Sequence, residues 1–139
     1  MSTPARLFAF AFVLALPGYV LAGAAQNGVL AQLSVEARTA DPAFAGFSAE
    51  RGRAFWIAQH PGGRDQTPSC ASCHGDTPRA TGQTRAGKAI EPMAASLVPS
   101  RFSDPVKVAK WFQRNCEGVL GRECTAREKG DFLAYVLSQ

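Results

Sequence analysis

Apolar positions recur with a helical period in four stretches of this chain, and one long stretch between them has no period at all. The first apolar feature is of another kind. Residues 7–16 form an unbroken hydrophobic run behind Arg6, and Pro17-Gly18 breaks it. Asn27 then stands where it can cap a helix over residues 29–38, which Asp41-Pro42 ends. Ser48 can cap a second helix over residues 49–59, with Phe55 and Trp56 on its apolar side and Pro61-Gly62-Gly63 closing it. A third opens at Asp104-Pro105, a cap residue followed by proline at the first helical position. Val108, Trp111, Phe112 and Asn115 fall on one of its faces at i, i+3, i+4 and i+7. The last helix opens with the capping box from Thr125 to Glu128 and turns Phe132, Leu133, Val136 and Leu137 toward a core.

Residues 64–100 are rich in Gly, Pro, Thr and Ser, with one short helical turn expected near residues 93–97. No segment alternates as a strand does, so the expected fold class is all-α with a long loop section. A loop run of that length in so small a domain points to something other than side chains filling the middle.

Composition changes this picture at the N-terminus. A charge at Arg6, an apolar run, and small residues over 20–25 make the three-part layout of a secretory signal. The run is too short for an ordinary transmembrane helix. We expect a signal peptide over residues 1–24, with cleavage after Ala22, Ala24 or Ala25, and one exported domain over residues 25–139. The formal charge of +4 falls by one when Arg6 leaves. So small and scattered an excess leaves no footprint for nucleic acid and steers an acidic protein partner only weakly.

Cys70-Ala71-Ser72-Cys73-His74 supplies the missing filling. The C-x-x-C-H pattern is a c-type haem attachment signature: both thiols add to the haem vinyls, and the following histidine offers a neutral imidazole to the iron. A thioredoxin-like pair would expect a preceding strand, and here Pro68-Ser69 and Gly75-Asp76 flank the motif. Zinc on Cys70, Cys73 and His74 would be poor geometry. The expected cofactor is one covalent haem c, with His74 as proximal ligand.

The sixth iron position has three candidates. An electron carrier takes Met or His there. With Met1 lost and His74 used, Met93 and His60 remain. His60 stands beside Pro61 at a helix end, where it would face solvent. Met93 has the right chemistry, but a complete helix separates it from the terminal one. Asn115 lies on the apolar face of the third helix, where a buried amide without partners is costly; capping its own helix end is its ordinary alternative. Cys116 and Cys124 have a spacing that matches no common metal site.

Helix order, with Gly52 and Phe55 before the motif and Leu133 and Tyr135 after it, is similar to the small class I-like cytochrome c fold. Several segments taken together go further: Pro68 to Gly75, Ala80 to Lys88, Arg101-Phe102, Lys110 to Cys116 and Gly121 to Thr125. From about Ser48 to the C-terminus the chain resembles the sphaeroides haem protein family, small oxygen-binding c-type cytochromes of the bacterial periplasm. That resemblance implies a periplasmic protein in which Asn115 is the distal iron ligand opposite His74 and Cys116 pairs with Cys124. A disulfide closing so short a loop contributes roughly 2.5 kcal/mol on the chain-entropy view. It further implies O2, NO or CO as the gas ligand, turnover of O2 or NO, and electrons from a dihaem cytochrome c and a membrane cytochrome b. Arg85 and Lys88, in the family-like loop, would be partners for the haem propionates. The competing expectation is a plain electron carrier ligated through Met93.

Overall fold

The computed structural model describes residues 23–139; the hydrophobic run of the expected signal peptide lies outside the described residues. Five helices follow one another: α1 (Ala24–Ala40), α2 (Ala49–Ile57), α3 (Ala71–His74), α4 (Pro105–Leu120) and α5 (Ala126–Leu137). A short antiparallel pair, β1 (Gly82–Gln83) and β2 (Ala89–Ile90), sits in the long connection between α3 and α4.

Local chemistry sets most of the helix starts. The Ser48 side chain accepts from Arg51 N, Asp104 accepts from the amides of Val106 and Lys107, and Thr125 and Glu128 form the full capping box. α1 begins earlier than expected: Asn27 lies inside its first turn and Gly23 is the N-cap, with no side-chain bond. The alanines at 24 and 25, the best helix formers, extend the helix backward past Asn27. α2 stops at Ile57 rather than at residue 59. Past its end the chain must run extended so that His60 N can donate to Pro68 O at 2.7 Å. The turn expected at 93–97 is present only as hydrogen bonds from Leu97 N and Val98 N back to Ala94 O.

α2 and α5 make the largest helix contact, and α1 lies against α5 as well. Gly52 permits the crossing, because a Cβ there would collide with the Asp131 carbonyl and with the Tyr135 side chain. Phe132, Leu133, Val136 and Leu137 are buried as their phase requires. α1 contributes a single stripe of Gln26, Val29, Leu33 and Ala37. Asp131 is also buried and holds the crossing from the side, accepting from Ser48 N at 2.7 Å and from both Arg51 Nε and an Arg51 terminal nitrogen at 2.7 Å. The short strands were too brief to show alternation. Their register, Gly82 on Ile90 and Gln83 on Ala89, is set by the turn at Thr84–Lys88, where Gly87 takes φ 79°.

Candidate haem site

α3 is one turn of helix, and it brings Cys70, Cys73 and His74 onto a single short segment. Both thiols are free and half-buried. Burial pushes the Cys70 thiol up to about 11. A redox-active or metal-binding pair needs the opposite, a thiolate stabilised near neutral pH. Among the described residues no three His, Cys, Asp or Glu side chains converge as a metal ion requires. Two thiols one helical turn apart suit addition to the two vinyls of a haem.

His74 provides the second test of fit. Its Nδ1 is buried with no hydrogen-bond partner, a costly arrangement for a ring nitrogen in a finished interior. Desolvation, and then the charge of Arg101, hold the imidazole in its neutral form, the form that ligates iron. Trp56 frames the histidine: it is fully buried, its ring lies 5.8 Å from the imidazole, and its Nε1 donates to Gly75 O at 2.9 Å. On its other side Trp56 stacks on Phe132 at 5.7 Å, so α2 and α5 together hold the turn that carries His74. The residues present therefore fit a covalent haem with His74 as a proximal ligand.

A recess of about 660 Å³ opens between α3 and the β-hairpin, lined among others by Cys73, Gly75, Gly82 and Arg85. His74, Met93 and Asn115 do not line it, so it borders the motif without containing the candidate iron ligands. Arg85 and Lys88 are exposed. The cation whose charge reaches His74 is Arg101, to which the sequence reading gave no role.

α4 divides the face that the sequence treated as one. Val108, Phe112, Cys116 and Leu120 form the buried stripe, while Trp111 and Asn115 lie on its flank and are exposed. The Arg114 guanidinium stands over the Trp111 ring at 5.3 Å. Continuing that flank by one more turn reaches Gly118, whose carbonyl accepts from Arg64 N at 2.9 Å and from Thr67 Oγ1 at 3.4 Å. Those two residues belong to the loop leading into Cys70, so the flank carrying Asn115 ends against the haem motif's own approach. Asn115 is not at a helix end: α4 runs on to Leu120, and Gly121 at φ 71° is the C-cap.

Cys116 and Cys124 are joined as a disulfide, with Cα atoms 5.6 Å apart and both residues buried. It ties the last turn of α4 to the cap of α5, directly beside Asn115. Met93 is placed quite differently. It is buried in the core, and its amide and that of Ala94 both donate to Pro78 O, four residues beyond His74. His60 is half-buried rather than solvent-facing, its ring 5.3 Å from that of Phe55.

Comparison with known proteins bears on this geometry. A family described as a domain of unknown function, DUF1924, matches residues 42–136. The chain is 46% identical over 120 residues to the cytochrome c-type protein SHP of Cereibacter sphaeroides, covering 86% of this chain and 93% of that protein. To cytochrome c'' of Methylophilus methylotrophus it is 33% identical over 104 residues, 74% of this chain and 72% of the relative. Among solved structures, oxidised SHP, described as an oxygen-binding cytochrome c, has a TM-score of 0.75 at 43% identity, covering 82% of this chain and 96% of that one. A solution structure of M. methylotrophus cytochrome c'', concerned with haem-ligand detachment, has a TM-score of 0.71 at 31% identity, with coverage of 82% and 93%.

Proposed function

The chain belongs to the SHP family of c-type cytochromes and carries covalent haem c, and on that premise we propose that it binds O2 or NO at a distal position which Asn115 guards. Haem c would supply a one-electron iron centre able to bind small gases. Cys70 and Cys73 anchor it, and His74 gives the proximal nitrogen. The Asn115 amide is a weak, fairly hard donor, suited to ferric iron and poorly suited to ferrous iron. With haem bound, Asn115 would hold the distal side of the oxidised protein, and its weak amide would give way to O2, NO or CO once the protein is reduced.

The relation between α4 and the haem motif is the observation that carries this assignment. Asn115 lies on the flank whose next turn receives Arg64 and Thr67, and the disulfide at Cys116 fixes the backbone beside it. Met93 is buried and bonded into the turn that follows His74 itself, which suits a core residue on the proximal side rather than a ligand opposite. The relatives agree in kind, one being described as oxygen-binding and another in terms of ligand detachment.

The protein would work in the periplasm, after removal of residues 1–24, and take electrons from a dihaem cytochrome c and a membrane cytochrome b. No described helix is long and apolar enough to cross a membrane.

Optical spectra of the purified protein test the assignment, oxidised and then reduced, before and after CO. A ferrous spectrum that is high-spin and shifts at once with CO is the expected result. A low-spin ferrous spectrum indifferent to CO, with a ferric sulfur-to-iron band, would make Met93 the ligand and the protein a simple electron carrier.

A further inference from the structure

α4 ends at Leu120, so the Gly118 carbonyl is among the last four that a helix leaves without a partner of its own. The loop leading into Cys70 supplies the partners. Arg64 N donates to it at 2.9 Å, and the buried Thr67 hydroxyl donates at 3.4 Å. The two backbones touch around this bond. A Cβ at Gly63 would fall on the carbonyls of Gly118 and Val119, and one at Gly62 on the carbonyl of Leu120. Gly121, the C-cap at φ 71°, meets the Gly62 carbonyl in the same way. At these positions no side chain lies between the two segments to act as a spacer.

Few residues separate this junction from either side of the haem site. Gly118 is less than one turn beyond Asn115 on the same helix. Thr67 is three residues before Cys70. The chain between is held locally. Thr67 N donates to Arg64 O at 2.9 Å, and Pro68 O accepts from His60 N at 2.7 Å. The hydroxyls of Ser69 and Ser72 each accept from the other's amide at 3.2 Å. A shift of the loop along α4 would therefore move Cys70 to His74 relative to Asn115, with little slack to absorb it. The disulfide ties Cys116 to the cap of α5 and not to this loop.

We propose that Gly63 and Thr67 are positioning residues for the distal ligand. By seating the loop before Cys70 on the end of α4, they set how far the Asn115 amide must reach toward the iron, and so how firmly it competes with an incoming ligand. A ligating group keeps its strength when its supports hold it to within about 0.5 Å, and an amide is a weak donor from the start. The role rests on the reading of Asn115 as distal ligand.

Imidazole binding to the ferric holoprotein, followed optically, tests it, because added imidazole must displace the Asn115 amide. CO binding to the ferrous holoprotein is the companion measurement, since there the amide has already given way. Gly63→Ala should raise the ferric affinity for imidazole about tenfold and leave the ferrous affinity for CO within about twofold. Thr67→Val, which keeps the shape and loses the hydroxyl, should raise the imidazole affinity about threefold, and Thr67→Ser should restore it. Asn115→Ala should raise it at least as far as Gly63→Ala does, and combining the two should add nothing more.

A parental imidazole affinity in Gly63→Ala would overturn the positioning role. Equal rises for imidazole and CO would do the same, because they report a general loosening of the fold. So would a further rise when Gly63→Ala is added to Asn115→Ala, since the loop would then act without the amide. If Gly63→Ala does not mature, the Thr67 pair decides, and equal imidazole affinities for Thr67→Val and Thr67→Ser count against the role. A parental imidazole affinity in Asn115→Ala would instead defeat the distal assignment itself, and the positioning role with it.

Discussion

Gly52 and Asp131 meet backbone against backbone where α2 crosses α5, leaving no room at position 52 for even a methyl group. The crossing is the largest helix contact in the fold and carries Trp56 toward His74. Gly52→Ala should therefore force the helices apart and destabilise the protein by about 2–3 kcal/mol. Denaturant unfolding of the holoprotein checks this, and an unchanged midpoint would mean that the crossing tolerates a wider spacing.

Asp131 fixes the same crossing electrostatically. Its carboxylate is nearly inaccessible, whereas the Arg51 side chain opposite is half exposed. Asp131→Asn should lose about 2 kcal/mol, less than a fully buried pair would, because water still reaches Arg51. The double variant with Arg51→Gln should lose less than the two single changes summed. Additive losses would show that the two side chains do not act as a pair.

Met93→Leu separates packing from ligation. As a core residue of similar volume, Leu should keep the parent spectra in both oxidation states at a loss under about 1.5 kcal/mol. Asn115→Ala should instead alter the ferric spectrum and leave ferrous CO binding intact. Were the two spectral outcomes exchanged, the distal assignment would pass to Met93.

Replacing Cys116 and Cys124 by Ser removes a short closed loop at the end of α4. We expect a loss of roughly 2.5 kcal/mol, together with a heterogeneous ferric spectrum as the backbone beside Asn115 loosens. Unfolding curves and low-temperature electron paramagnetic resonance read the two effects separately; a sharp, parental ferric signal would mean that the bonds from Gly118 to Arg64 and Thr67 are sufficient.

Acid stability should depend on Glu128. Arg122, followed by the Thr125 amide, holds its carboxyl below the usual carboxylate range. Because the folded value is the lower one, the stabilisation is present above the unfolded value and is lost as pH falls through the folded value. Glu128→Gln should flatten the acid limb of the stability curve and lower the plateau near neutral pH by about 1 kcal/mol. An unaltered acid limb would place the acid-labile group elsewhere.

The sequence by itself determined what depends on neighbours along the chain. Ser48, Asp104 and the Thr125–Glu128 box cap their helices as read, because a cap is a bond between residues two or three apart. The C-x-x-C-H motif specified haem for a similar reason, since one helical turn sets the spacing of two thiols and a histidine. Family resemblance, rather than spacing, carried the pairing of Cys116 with Cys124, and the structure joins them.

Only the tertiary structure decided which side of each element meets which neighbour. Periodicity put Val108, Trp111, Phe112 and Asn115 on one face, yet α5 and the loop before Cys70 approach α4 from different directions. That turns Val108 and Phe112 inward and leaves Trp111 and Asn115 on the flank. Met93 lies in a loop without period, so nothing local foretold its burial against the turn after His74. The bonds from Gln26 to Pro99 and Arg101 span more than seventy residues. No local pattern encodes such a contact, because it exists only once α1 has packed on α5 and brought the two ends of the domain together.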